Sequence, residues 1–133
     1  SAAIAHGGTL MTPSLVDEVL APNLRVVSAF EPQIYSRPLN ANTAAELNRM
    51  MVGNVDRGVA GNAGIVGMQV AGKTGTAETG IGDGRTLWFS GFAPADNPQI
   101  ALAIAVEGSR SEGTGNPIAA PIANTIFQAV IER

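Results

Sequence analysis

A single lysine stands in the whole chain, Lys73, within the octet Ala71-Gly72-Lys73-Thr74-Gly75-Thr76-Ala77-Glu78. An ammonium, two hydroxyls and two glycines are crowded together there. Apolar and polar residues alternate from Ile65 to Val70 on the way in, so a strand is expected from Ile65 to Ala77. A strand of this kind presents a cation and several hydrogen-bond donors along one edge, and its glycines let another backbone come close. The chemistry is recognition of an anion or a carbonyl.

Two site types use that chemistry. Gly67-Met68-Gln69-Val70-Ala71-Gly72-Lys73-Thr74 fits the phosphate-loop pattern G-x-x-x-x-G-K-[ST] letter for letter. A phosphate loop needs a helix whose amino end begins at the Lys-Thr. Here the chain runs on through Gly75, Gly80, Gly82 and Gly84, and each glycine costs a helix about 0.8–1 kcal/mol relative to alanine. The nucleotide reading therefore carries little weight. The other owner is the Lys-Thr-Gly strand of serine acyl-transfer sites, which requires the edge of an antiparallel sheet.

The surrounding elements supply that context. After Ile65–Ala77 come two more strand-like segments, Thr86 to Ala93 and Ile100 to Glu107. The cluster Pro94-Ala95-Asp96-Asn97-Pro98 joins them as a hairpin. The near-continuous apolar run of the last segment suggests burial on both faces. Between the first two, Thr79 to Arg85 carries three glycines and reads as a mobile loop beside the lysine strand. Upstream, Ser1 to Ala5 resembles the end of a helix closed by Gly7-Gly8, and residues 9 to 40 read as an irregular surface connection with short extended pieces at Leu15–Leu20 and Leu24–Phe30. Thr43-Ala44-Ala45-Glu46 has the form of a capping box opening a helix with Leu47, Met50, Met51 and Val55 inward and Gly58 at its end. Asn116-Pro117 opens a last helix, with Asn as cap and an apolar face of Ile118, Ile122, Ile126, Ala129 and Val130. The expected fold class is α+β: an antiparallel sheet meander flanked by helices, a fragment of a larger layered fold.

With Lys73-Thr74-Gly75-Thr76, then Trp88-Phe89-Ser90-Gly91-Phe92-Ala93-Pro94, an Ile/Ala/Val strand and a helix opened by Ala119-Ala120-Pro121, the chain resembles the class B penicillin-binding proteins, especially those of mycobacteria and related actinobacteria. The resemblance runs from the His6-Gly7-Gly8 turn to Arg133, with His6 standing where the family often has Asn. It implies the C-terminal portion of a penicillin-recognising serine transpeptidase fold. Lys73 and Thr76 are then catalytic. Lys73 polarises a neighbouring serine and attracts a substrate carboxylate; the Thr76 backbone N–H is one of two oxyanion-hole donors. Thr74, Gly75 and Thr76 bind substrate, the hydroxyls holding the carboxylate and Gly75 letting an extended peptide lie against the strand. Trp88 and the Gly80–Gly84 loop border the groove, Trp88 mainly as core packing.

Only one of the family's three motifs is present. Ser1, Ser14, Ser28, Ser36, Ser90, Ser109 and Ser111 each lack a Lys three residues on, and neither Ser109-Arg110-Ser111 nor Ser36-Arg37-Pro38 provides Ser-x-Asn. The nucleophile, its base and the second motif are expected before Ser1, and residues 1–133 supply half a site. The expected partners are peptidoglycan stem peptides, β-lactams, the upstream part of the same protein and other cell-wall synthesis proteins. The expected location is the extracytoplasmic face of a bacterial membrane, through an N-terminal anchor outside these residues. A serine β-lactamase or carboxypeptidase, and a penicillin-sensing receptor domain, share the same strand.

Composition bounds the rest. At 133 residues the chain is the size of one domain and long enough to bury a real core. A net charge of −3 without a basic run gives no footprint for nucleic acid. Without cysteine and with one histidine, neither a disulfide scaffold nor a thiolate or histidine metal centre is expected, and the resemblance implies no cofactor. Only 14% of residues are charged, which suggests that part of the surface is normally covered.

Overall fold

The structure, a computed structural model, describes residues 1–80, 84–109 and 113–131. The central feature is a three-stranded antiparallel sheet of β5 (Ala71–Glu78), β6 (Gly84–Ala93) and β7 (Ile100–Ser109), in the order β5-β6-β7. Two small ribbons pair β1 (Leu10–Met11) with β4 (Ile34–Ser36) and β2 (Glu18–Leu20) with β3 (Val26–Ala29). Helix α1 (Ala2–Ala5) opens the chain, α2 (Ala41–Asp56) precedes the sheet and α3 (Gly115–Ile131) follows it, with a short 3-10 helix at Gly61–Ala63. The α+β meander flanked by helices is thus present.

The sheet's two faces differ. Leu87 and Phe89 of β6 stand beside Val106 and Ile104 of β7 and Thr76 and Thr74 of β5. This face packs under α3, where Phe127 meets Phe89 edge to face with ring centroids 6.3 Å apart. Val55, Val70, Ala119, Ala120 and Ala123 complete that core. On the other face, Ala71, Phe92 and Ala95 form a smaller cluster with Ile4, Met51 and Val52. Beyond that cluster the face is open: Ala101, Ala103 and Ala105 are exposed, and so is Trp88, at 42%. β7 is therefore not buried on both faces, and Trp88 is not a core residue, because the helices on this side, α1 and α2, cover only the end of the sheet around Ala71 and Phe92.

Several boundaries move. The lysine strand starts at Ala71, not Ile65. Gly67 has φ +81°, and Ile65 and Met68 form an isolated bridge, so the alternation before Val70 lies in a turn. Helix α2 is capped by Asn40, whose Oδ1 accepts from the Thr43 N–H at 2.8 Å. Thr43 lies inside the helix, Glu46 pairs instead with Arg49, and the helix closes at Arg57 rather than at Gly58. Its buried side chains are Ala44 and Val55; Met51 packs inward, whereas Met50 is exposed. Helix α3 begins at Gly115, so Asn116 lies in its first turn and is not its cap. Its buried stripe is Ala119, Ala120, Ala123 and Phe127, while Ile122, Ile126 and Val130 face outward. Small alanines let the helix axis come close to the sheet, and the larger isoleucines do not fit between the layers.

The amino-terminal expectations hold: α1 ends at His6, and Gly7 follows with φ +61°. The hairpin cluster Pro94–Pro98 joins β6 to β7 as expected. Of the glycine loop between Thr79 and Arg85, residues 81–83 lie outside the described residues. Its base is closed by the Thr79 N–H donating to the Gly84 carbonyl at 3.0 Å. No helix among the described residues is long and apolar enough to cross a membrane.

Candidate active site

Strand β5 pairs with β6 through all eight of its residues, from Ala71 opposite Phe92 to Glu78 opposite Arg85, and among the described residues its other edge has no partner strand. Lys73-Thr74-Gly75-Thr76 therefore lies on an edge strand, and no helix starts at Lys73. That removes the phosphate-loop reading.

Which backbone groups reach the free edge follows from parity. In an antiparallel strand a residue's N–H and C=O point to the same edge, and successive residues alternate. The Gly72 carbonyl accepts from Asn54 Nδ2 at 2.8 Å, and the Thr74 carbonyl from Lys73 Nζ at 2.5 Å. Both acceptors point away from β6. Thr76 shares their parity, so its N–H and C=O also face the open edge, while those of Lys73 and Gly75 face β6. A ligand lying along the edge finds the Thr76 amide presented and the Lys73 ammonium beside it.

The space in front is a cleft of about 460 Å³ lined by Val59, Lys73, Thr74, Gly75, Thr76, Thr114, Gly115 and Asn116. All four residues singled out from sequence line it. Lys73 and Thr76 are exposed, Gly75 is half-buried, and Thr74 is 9% exposed. Past the cleft, Glu78 is 3.6 Å from Arg85 Nη2 across the β5–β6 pair, so an acid on the strand faces a cation of its own.

Three supports were not visible in the sequence. Asn54, in the last turns of α2, grips the strand one residue before Lys73. Gly72 and Gly91 sit opposite one another with the Phe89 ring over both: a Cβ on Gly72 would lie 2.6 Å from Phe89 Cε2, and one on Gly91 2.8 Å from Phe89 Cε1. Thr114 and the first turn of α3, with Gly115 and Asn116, reach the cleft, a placement that no local spacing encodes. Trp88 lies opposite Gly75 in register but is not among the residues that line the cleft.

A larger, mostly apolar groove of about 750 Å³ lies elsewhere, between α1, the β1–β4 ribbon and the start of β7. It contains His6, Thr9 and Tyr35 but none of the Lys-Thr-Gly residues.

Comparison with known proteins fits this geometry. The pattern of the penicillin binding protein transpeptidase domain matches residues 1–128. The chain is 36% identical to the peptidoglycan D,D-transpeptidase PbpA of Mycolicibacterium smegmatis, over 98% of its own length and 28% of that protein's. It is 33% identical to the stage V sporulation protein D of Bacillus subtilis, over 95% of its length and 21% of the relative's. Among solved structures, a ceftriaxone acyl-enzyme complex of penicillin-binding protein A from M. tuberculosis superposes with a TM-score of 0.90 at 36% identity, over 98% of this chain and 30% of that one. A D,D-transpeptidase domain from Eggerthella lenta gives 0.79 at 33% identity, over 97% and 31%. The chain spans little more than a quarter of the length of the mycobacterial PbpA relatives. With its Lys-Thr-Gly-Thr edge strand intact, the chain belongs to the transpeptidase-domain family of the class B penicillin-binding proteins.

Proposed function

We propose that residues 1–133 form the substrate-aligning wall of a peptidoglycan D,D-transpeptidase, completed by a nucleophile-bearing part of the same protein before Ser1. The observation that carries the reading is the unpaired edge of β5, which offers the Thr76 amide and the Lys73 ammonium to one cleft. A stem peptide adds to that edge as an extra strand, with Gly75 leaving room for its backbone. Lys73 attracts the terminal carboxylate, and the Thr74 and Thr76 hydroxyls hydrogen-bond it.

The serine Oγ attacks the carbonyl carbon of the penultimate D-Ala. The Thr76 N–H donates to the oxygen that becomes negative, and a donor of this kind lowers such barriers by about 2.7–4 kcal/mol. The C–N bond breaks, and the terminal D-Ala leaves as an amine carrying the proton taken from the serine. The amine of a neighbouring peptide then attacks the ester and regenerates the serine hydroxyl. A β-lactam is attacked at its ring carbonyl, and because the opened ring remains attached, the acyl-enzyme persists. Such chemistry belongs on the outer face of the bacterial membrane, where stem peptides are found.

The test is labelling of the intact protein with a fluorescent penicillin. A covalent adduct that forms in the wild type and forms much more slowly in Lys73→Ala is expected. Absence of an adduct with the intact protein would falsify the reading, and rapid turnover of the β-lactam would move it to the hydrolytic relatives.

A further inference from the structure

The contact between α3 and the lysine strand is closer than any side chain permits. A Cβ on Gly115, which is buried, would lie 2.5 Å from the Trp88 carbonyl oxygen, 2.8 Å from the Gly75 carbonyl oxygen and 3.3 Å from Thr74 Cβ. The first turn of α3 is itself anchored: Asn116 Oδ1 accepts from the Asn62 N–H at 3.1 Å, and the Asn116 carbonyl accepts from Asn62 Nδ2 at 3.3 Å. The Gly75 carbonyl and the Thr76 N–H belong to one planar peptide unit and move together. The carbonyl faces β6 and meets the helix; the N–H faces the free edge. Whatever holds the carbonyl therefore sets the aim of the N–H.

We propose that Gly115 is a positioning residue for acyl transfer: it lets the first turn of α3 rest against the Gly75 carbonyl and so holds the Thr76 N–H on the developing oxyanion. The proposal rests on the transpeptidase reading above and names a residue that acts through the Gly75–Thr76 peptide, not through a group of its own on the reacting atoms. A β-carbon at position 115 presses on two backbone carbonyls, which cannot swing aside as a side-chain tip does. β6 is paired on both sides, whereas β5 is paired on one, so the Gly75–Thr76 peptide is what yields. The carboxylate contacts, made by side chains of Lys73, Thr74 and Thr76, depend less on the tilt of that peptide.

The experiment is time-resolved acylation of the intact protein by a fluorescent penicillin over a range of concentrations, which separates the non-covalent dissociation constant from the acylation rate constant. For Gly115→Ala the rate constant is expected to fall about tenfold or more, with the dissociation constant held within about twofold. Hydrolysis of the acyl-enzyme, which uses the same donor, slows as well. A partly unfolded population lowers the amplitude of labelling and not the rate constant, so amplitude separates folding from aim. Gly53→Ala, whose Cβ would meet only Arg57 Nη2 at 3.5 Å, acylates like the wild type. Should Gly115→Ala not fold, Asn116→Ala adds no atom and removes the Oδ1 that accepts from the Asn62 N–H, which loosens the first turn, and it is expected to lower the rate constant about two- to fivefold. A wild-type rate constant in the folded variant, or binding and rate falling together, overturns the proposal and leaves the transpeptidase reading intact. A wild-type protein that forms no adduct overturns that reading and the proposal with it.

Discussion

The glycine pair beneath Phe89 gives a prediction whose size can be worked through. Replacing Gly72 by alanine puts a methyl 2.6 Å from Phe89 Cε2 and 3.2 Å from Val55 Cγ2. The ring has little room to move, since Phe89 is fully buried and Phe127 closes it in edge-on. Overpacking of this kind costs about 1–3 kcal/mol, and the contact lies under any normal carbon–carbon distance, so the upper end applies. Lower unfolded-state entropy returns about 0.4–1 kcal/mol on replacing Gly with Ala. The net loss expected for Gly72→Ala is about 2 kcal/mol. Phe89→Leu removes the ring atoms that the new methyl meets, so the two changes must couple. Urea unfolding of the wild type, both single variants and the double variant, in the intact protein, measures the coupling. The double variant should be more stable than the summed losses imply by at least about 1 kcal/mol. Losses that simply add within about 0.5 kcal/mol would refute the claim that the Phe89 ring is what requires glycine at position 72.

The remaining predictions concern the core, a cap and the cation. Phe127→Ala removes a fully buried ring from between α3 and the sheet and is expected to cost about 3–5 kcal/mol in the same unfolding measurement. Asn40→Ala deletes the side chain that caps α2; a loss of about 1 kcal/mol is expected, and an unchanged urea midpoint would show that another group satisfies the Thr43 amide. Lys73→Ala removes a charged donor from the cleft; hydrogen bonds to charged groups contribute about 1.5–3 kcal/mol, so penicillin acylation of the intact protein should slow by about one to two orders of magnitude.

Much of this was legible in the sequence for local reasons. The Lys73-Thr74-Gly75-Thr76 run announced its own chemistry, and the glycines after it argued against a helix. The cluster Pro94–Pro98 fixed a hairpin, so a meander with the lysine strand at one end followed. Apolar patterning placed α2 and α3 to within a few residues. It placed Met51 and Val55 of α2 inward correctly and missed that Met50 is exposed. It misassigned the inner face of α3, because hydropathy registers polarity and not size. On α3 the isoleucines looked like the core stripe, yet Ala119, Ala120, Ala123 and Phe127 are what the sheet accepts. On α2 the Thr43–Glu46 spacing imitated a capping box, while Asn40 three residues earlier holds the amide.

The sequence by itself determined which groups could meet a carboxylate or an oxyanion, since residue type and order along one strand suffice for that. Only the tertiary structure decided which way they face. The free edge of β5, the Asn54 grip on Gly72 and the approach of Gly115 to the Gly75 carbonyl join residues 18 and 40 positions apart in the chain. Contacts at that separation exist only once helices α2 and α3 have packed on the sheet, and it is close packing of small residues that sets the distances.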